Sequence, residues 1–269
     1  MPSDRPVRVG VQIAPQHALY PTIRDTVQRL EDLGVDIVFN WDHFFPLSGA
    51  PDGLHYESWT MLAAMAEQTS RVEFGPLVNC NSYRNPDLQA DMARTIDHIS
   101  AAATGTGRFI FGTGSGWFER DYDEYGYEFG TVGSRLDALA EDLPRIRSRW
   151  DRLNPKPTRH IPILIGGGGE KKTLKIVAEH ADIWHSFSNT ETLQRKLGVL
   201  HDWCAEVGRD PGEIELSTHV STHRAGGIDR EVLEKQVEMG VTLFEASTLG
   251  PDYELDHVVE LLKWRDSLG

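Results

Sequence analysis

The chain has 269 residues, 39% of them apolar, and carries 27 Lys and Arg against 41 Asp and Glu, a formal net charge of -14. That is enough chain for one large α/β barrel or two ordinary domains. The negative balance argues against a generic binder of nucleic acid or anionic membrane, whose phosphate fields attract basic proteins. Cys80 and Cys204 stand far apart without metal-type spacing, so neither a disulfide framework nor a metal site is expected. The polar stretch from Met1 to Arg8 and the lack of a long apolar run predict a soluble, cytoplasmic protein with no secretory leader and no membrane span.

In chain order, Val7, Val9, Val11 and Ile13 alternate with polar or small residues and predict a first strand that Pro15 stops. Ile23, Val27 and Leu30 recur at helical spacing over 22–33, Gly34 is placed to cap that helix, and 35–41 reads as the second strand. Strand, helix, strand at this spacing is a right-handed parallel crossover. A helix over 58–68 and a third strand over 72–78 follow, the strand interrupted by Gly75 and Pro76 near its end. Next come a helix over 87–100, a strand over 108–113 and a helix over 134–150 with Pro144 as a kink. Strands over 161–165, 181–187, 213–220 and 241–246 then alternate with helices over 173–179, 192–206, 229–239 and 256–267. Eight strands and their helices over 1–269, with no linker between halves, predict a single (β/α)8 TIM barrel.

Such barrels carry their chemistry at the carboxyl ends of the strands. The second strand ends in Asp42 and His43, followed by Phe44, Phe45 and Pro46, an acid and an imidazole where a catalytic pair would stand. A solvated turn would also favour the Asp. The fourth strand runs into alternating Gly112, Gly114 and Gly116, which leave bare backbone for a flat ring or a phosphate, but without the full dinucleotide fingerprint. After the fifth strand, Gly166, Gly167, Gly168 and Gly169 precede Lys171 and Lys172 at a helix start, where unpaired N–H groups and the helix dipole favour an anion. The P-loop spacing is absent.

These stretches together carry a resemblance: Trp41-Asp42-His43-Phe44, Tyr56-Glu57-Ser58-Trp59, Arg71-Val72-Glu73-Phe74-Gly75-Pro76-Leu77-Val78, Tyr83-Arg84-Asn85-Pro86, Gly112-Thr113-Gly114-Ser115-Gly116-Trp117 and Ile165 with the glycine run. The chain resembles the bacterial luciferase-like monooxygenase superfamily from its first strand to about Cys204, and within it the actinobacterial coenzyme F420-dependent oxidoreductases. The resemblance implies a luciferase-like barrel in which Asp42 and His43 sit beside the reactive edge of the deazaflavin ring. It implies a non-proline cis peptide at Leu77-Val78 pressing on the middle of the ring, with Asn79 near the pyrimidine side. Gly114 and Gly116 would border the ring. The cofactor's phosphate would lie on Gly166, Gly167, Gly168 and Gly169, with Lys171 or Lys172 near its acidic tail. Some relatives carry a glutamate where this chain has Trp117, so an acid-base role there is not expected and Trp117 would pack over ring or substrate.

The activity so implied is hydride transfer between coenzyme F420 and a small organic substrate, with His43 exchanging the accompanying proton and Asp42 orienting it. The same fold also serves FMN-dependent monooxygenases, and a non-catalytic flavin-binding barrel or a phosphate-binding aldolase barrel are the other readings. A homodimer is expected from the resemblance. His17, Phe44 and Trp117 are expected around the substrate, together with the aromatics Phe45, Phe118 and Tyr122, which make it part apolar. His219 and His223 read as strand-end polar residues, and Cys80 as a structural thiol.

Overall fold

The structure, a computed structural model, describes residues 5–221 and 227–269. Among the described residues, nine strands lie in one parallel sheet: β1 (Arg8–Ile13), β2 (Ile37–Asn40), β3 (Glu73–Pro76), β4 (Asn79–Cys80), β5 (Phe111–Gly114), β6 (Ile163–Gly166), β7 (Ile183–Ser186), β8 (Glu215–His219) and β9 (Val241–Thr248). Their order is β3-β2-β1-β9-β8-β7-β6-β5-β4. β3 and β4 are two pieces of one barrel strand, parted by the cis peptide Leu77-Val78. A bridge between Phe74 and Phe109 joins β3 to the residues before β5 and closes the ring. The nine segments thus fill eight barrel positions, as the strand count in the sequence predicts.

Outside the ring lie α1 (Tyr20–Leu33), α2 (Ser58–Gln68), α3 (Pro86–Ser100), α4 (Glu119–Tyr125), α5 (Val132–Arg152), α6 (Thr173–His180), α7 (Thr190–Val207), α8 (Arg230–Glu238) and α9 (Asp256–Asp266). Gly34 caps α1 in the left-handed region at φ 91, and α5 runs through Pro144. The sequence shows no helical repeat over 114–133, yet α4 forms there, with Glu119 and Asp121 in its first turn and Gly126 closing it at φ 71. Those end signals are present in the sequence; the helix is only seven residues long, too short to show an apolar repeat.

Side chains alternate across each strand, so each faces either the helices or the barrel interior. Val9, Val11, Val38, Ile163 and Ile165 join the outer core against the helices, while Ile37, Phe39, Leu77, Ile110, Leu164, Ile183 and Leu243 fill the barrel. Gly112 on β5 is a necessity of closure, because a β-carbon there would run into the Pro76 carbonyl. Gly112→Ala should therefore cost about 1–3 kcal/mol through overpacking, read as a lower urea midpoint with an unchanged slope. Beneath the apolar layer, Arg8 bridges Glu215 at 2.5 Å and Glu73 at 2.6 Å, and Arg159 meets Glu73 at 2.6 Å. Chemistry is thereby left to the opposite, carboxyl-terminal end. Among the described residues, no helix is long and apolar enough to cross a membrane.

Candidate active site

At that end a cavity of about 530 Å³ opens over β2, β4, β5 and β6. The cis bond sets Val78 between Gly114 and Gly166, so tightly that a β-carbon on either glycine would lie 2.9 Å from a Val78 methyl. Leu77 and Val78 form the floor, and Gln12 Nε2 donates to Leu77 O at 2.5 Å. Asp42, His43, Asn79, Gly116, Trp117 and Gly167 also line the cavity. Eight of the residues expected around the ring from sequence thus meet there with Gly114 and Gly166.

The polar contacts differ from the expectation. Asp42 does not orient His43. Its carboxylate receives both Arg84 guanidinium nitrogens, at 2.6 and 3.0 Å, and the Cys80 N–H at 3.1 Å. Burial pushes the Asp42 carboxyl up, with Arg84 opposing it. Burial also works against the Arg84 charge, but Asp42 and Glu57 together hold the guanidinium above its ordinary value. Asn79 is likewise committed outward, accepting Trp59 Nε1 at 2.9 Å and donating to Gln89 at 2.7 Å. It borders the cavity while its amide serves the helices.

The carboxylate that reaches His43 is Asp121, 78 residues away on α4. His43 Nδ1 lies 2.7 Å from Asp121 Oδ2, which also accepts the Tyr83 hydroxyl at 2.9 Å; Oδ1 accepts the Phe44 N–H at 3.1 Å. Burial pushes the Tyr83 phenol far up, so it remains a donor. With those donors converging on it, Asp121 is the acceptor for His43 as well. Nδ1 then bears the proton, and Nε2 is the nitrogen left for a molecule in the cavity. The edges of Trp41, Trp117 and Phe118 fix the ring plane at centroid distances of 6.4, 5.7 and 5.4 Å. Asp121 was missed in the sequence because nothing local marks it: it acts through a loop that folds back across the barrel mouth.

Other expected residues fall outside the cavity wall. His17 is enclosed by the 48–53 loop, its Nε2 2.6 Å from Ser48 O and its ring against Gly49 and Gly53. Phe44 stacks on Tyr125 at 4.0 Å and packs on Tyr83, and Tyr122 is fully buried with its hydroxyl 3.2 Å from Cys80 Sγ. Burial pushes the Cys80 thiol up to about 11, which suits a structural thiol. Of those aromatics, Trp117 is the one at the cavity. His223 lies outside the described residues.

The glycine run continues from the cavity wall. Gly167 takes φ 127, and α6 begins at Thr173 with no side-chain cap, the Leu174 N–H going to Gly169 O at 3.0 Å. Lys172 pairs with Asp137 at 2.6 Å, and Lys171 borders a different groove beside Trp203. The lysine that reaches the run is Lys196 of α7, into whose Nζ a β-carbon at Gly168 would project. Lys196 lies about two turns into α7, in the next crossover, so no neighbour in sequence points to it.

A polar layer inside the barrel completes the surroundings. His185 is fully buried with Nδ1 2.8 Å from Ser217 Oγ, and burial lowers it to about 4 from the ordinary 6.5. His55, which accepts Trp41 Nε1 at 3.1 Å, is also lowered by burial to about 4. A histidine lowered on folding is protonated first in the unfolded chain, so stability is complete above pH 6.5 and falls as pH drops toward 4. His185 alone should contribute about 3 kcal/mol of that loss. His185→Gln should therefore flatten the pH dependence of the urea midpoint in this window; an unchanged slope would show that His185 does not carry it.

Three comparisons bear on this geometry. An uncharacterized protein of Mycobacterium tuberculosis is 28% identical over 171 residues, 57% of this chain and 58% of that protein. The F420-dependent glucose-6-phosphate dehydrogenase of Amycolatopsis mediterranei is 31% identical over 180 residues, 59% of this chain and 50% of that enzyme. The matches thus span half to three-fifths of these relatives. A solved structure described as an F420-dependent secondary alcohol dehydrogenase in complex with an F420-acetone adduct superposes with a TM-score of 0.81 at 17% identity, covering 96% of this chain and 98% of that one. It shares the fold. The luciferase-like monooxygenase profile matches residues 6–247, so with its closed parallel barrel and its interrupted third strand the chain belongs to the luciferase-like monooxygenase family.

Proposed function

We propose that this protein is a coenzyme F420-dependent oxidoreductase that exchanges a hydride with a small organic alcohol or carbonyl compound. The observation that carries this reading is His43, held through Nδ1 by Asp121 and presented to a cavity floored by Val78, Gly114 and Gly166. The residues present fit the cofactor: bare glycine backbone on either side of Val78 suits a flat ring, and the uncapped start of α6 beside Lys196 suits a phosphate. The names of the Amycolatopsis relative and of the secondary alcohol dehydrogenase structure support the choice of cofactor.

When bound, the deazaflavin supplies the hydride exchange at its ring carbon. The chain's own part is the proton and the geometry. His43 Nε2 takes the proton of a substrate hydroxyl, or returns it to a carbonyl oxygen, while Asp121 steadies the resulting charge. Trp117, which is 64% exposed, stands at the mouth of the cavity edge-on to His43 and offers an apolar face to the substrate.

Titration of the protein with oxidised F420 and with FMN, followed by cofactor fluorescence, tests the reading. Tight deazaflavin binding and weak FMN binding are expected, and the reverse order would move the chain to an oxygen-using flavin chemistry. Lys196→Ala should weaken deazaflavin binding about fivefold, the scale of one charge-assisted contact at roughly 1 kcal/mol. Unchanged affinity would place the phosphate elsewhere.

A further inference from the structure

Phe187, just past β7, lines two cavities at once: the one described above and a second of about 520 Å³ over the ends of β7 and β8 and beside α8. Its ring is edge-on to His185 at a centroid distance of 4.5 Å and tilted against His219 at 6.0 Å. The glycine run follows β6, on the other side of β7. The second cavity is therefore not part of the cradle assigned to the cofactor's phosphate.

Its wall holds an ion pair. Glu245 has no exposed surface; its Oε2 meets His219 Nδ1 at 2.7 Å and its Oε1 accepts the Ser247 hydroxyl at 3.1 Å. Burial would raise the Glu245 acid, but His219 and Ser247 hold it below its ordinary value; burial would lower His219, but Glu245 raises it. A buried pair of this kind is weak support for a fold, because desolvation offsets its attraction, and the layer beneath is filled by apolar side chains. Packing does not call for it.

With Nδ1 committed to Glu245, His219 presents Nε2–H to the cavity, the one cationic donor among the described residues of this wall. Ser188, Thr190 and Ser221 add hydroxyls. Asp229 is turned to cap α8, its carboxylate 3.2 Å from the Val232 N–H. Among the described residues, a phosphate dianion would meet a single positive charge and the field of Asp229. An ammonium would find no free acid among them, since both Glu245 oxygens are taken. One carboxylate matches one charge-assisted donor. Side-chain contacts run between the two walls as well: Ser247, the partner of Glu245, lies 3.4 Å through Oγ from Gln12 Oε1, and Gln12 lines the first cavity.

We infer that the second cavity is a subsite for a carboxylate carried by the substrate, bound by His219 Nε2 with Glu245 behind it, and that Phe187 is the partition over which the substrate reaches from one cavity to the other. The inference rests on the first cavity being the place of hydride exchange. The probes are hexanoate and hexan-1-ol, added to the cofactor-free protein while the His219 ring resonances are followed by proton–nitrogen NMR; deazaflavin binding is measured separately by fluorescence. Hexanoate should shift the His219 signals saturably and hexan-1-ol should not. His219→Gln should weaken hexanoate about tenfold, as loss of a charged hydrogen bond does, with deazaflavin affinity unchanged. Equal binding of the alcohol, no saturable shift in the unaltered protein, or full hexanoate affinity in His219→Gln would each overturn the subsite. Hexanoate binding in a protein that takes no deazaflavin would uphold the carboxylate site and remove the hydride-exchange reading instead.

Discussion

Replacing His43 with alanine should lower turnover by about 100-fold or more, the usual span of a general acid-base group, while deazaflavin affinity stays as it was. The reason for the split is geometric. His43 presents one nitrogen to the cavity, whereas the ring floor is built from Val78, Gly114 and Gly166 and the phosphate end from the uncapped start of α6. Turnover within a few-fold of the unaltered protein would remove His43 from the mechanism. Asp121→Asn is the companion experiment: an amide oxygen still accepts Nδ1–H but no longer offsets an imidazolium, so the loss should be smaller than for His43→Ala. Asp121 acts through His43, so its effect should vanish in the His43→Ala background. A full additional loss in the double variant would show that Asp121 acts on its own.

Asp42→Ala should act on stability rather than on chemistry. The Asp42 side chain is 1% exposed and Arg84 12%, and the two are joined by both guanidinium nitrogens. Removing one member of a buried pair strands the other charge and costs about 3–5 kcal/mol. Glu57 still reaches Arg84 at 2.7 Å but is 40% exposed, which places the expected loss near the lower end of that range. Urea unfolding would measure it. Asp42→Asn, which keeps an acceptor for the Cys80 N–H, should lose less. Turnover per folded molecule should remain close to that of the unaltered protein in both variants, and a loss comparable to His43→Ala at full stability would return Asp42 to the reaction.

The barrel was legible because it rests on local rules. Alternation at Val9, Val11 and Ile13, the helical repeat of Ile23, Val27 and Leu30, and Gly34 at the end of α1 each depend on neighbours within a few residues, and the count of eight follows from their repetition. The position of the site was legible for a related reason: parallel strands point their carboxyl ends one way, so residues that end apolar runs collect at one mouth. Asp42, His43, Gly114 and Gly166 stand out in this way, while Leu77 and Val78 are implied by the family resemblance; all six line the cavity.

Which of these residues touch was not legible. Asp42 and His43 are adjacent in sequence, but successive side chains on an extended segment diverge. Asp42 therefore turns outward to Arg84, and His43 turns toward the loop that brings Asp121. His17 and Phe44, placed near the substrate by chain position, are held away by the 48–53 loop and by the stack on Tyr125. Lys196 and the His219–Glu245 pair enter from separate crossovers. The sequence by itself determined the number of strands, the parallel crossovers and the end of the barrel where polar residues gather. Only the tertiary structure decided the partner of each ionisable group, because partners such as Asp121 for His43 and Glu245 for His219, 78 and 26 residues away, are chosen by barrel closure and loop return, and no local pattern records that choice.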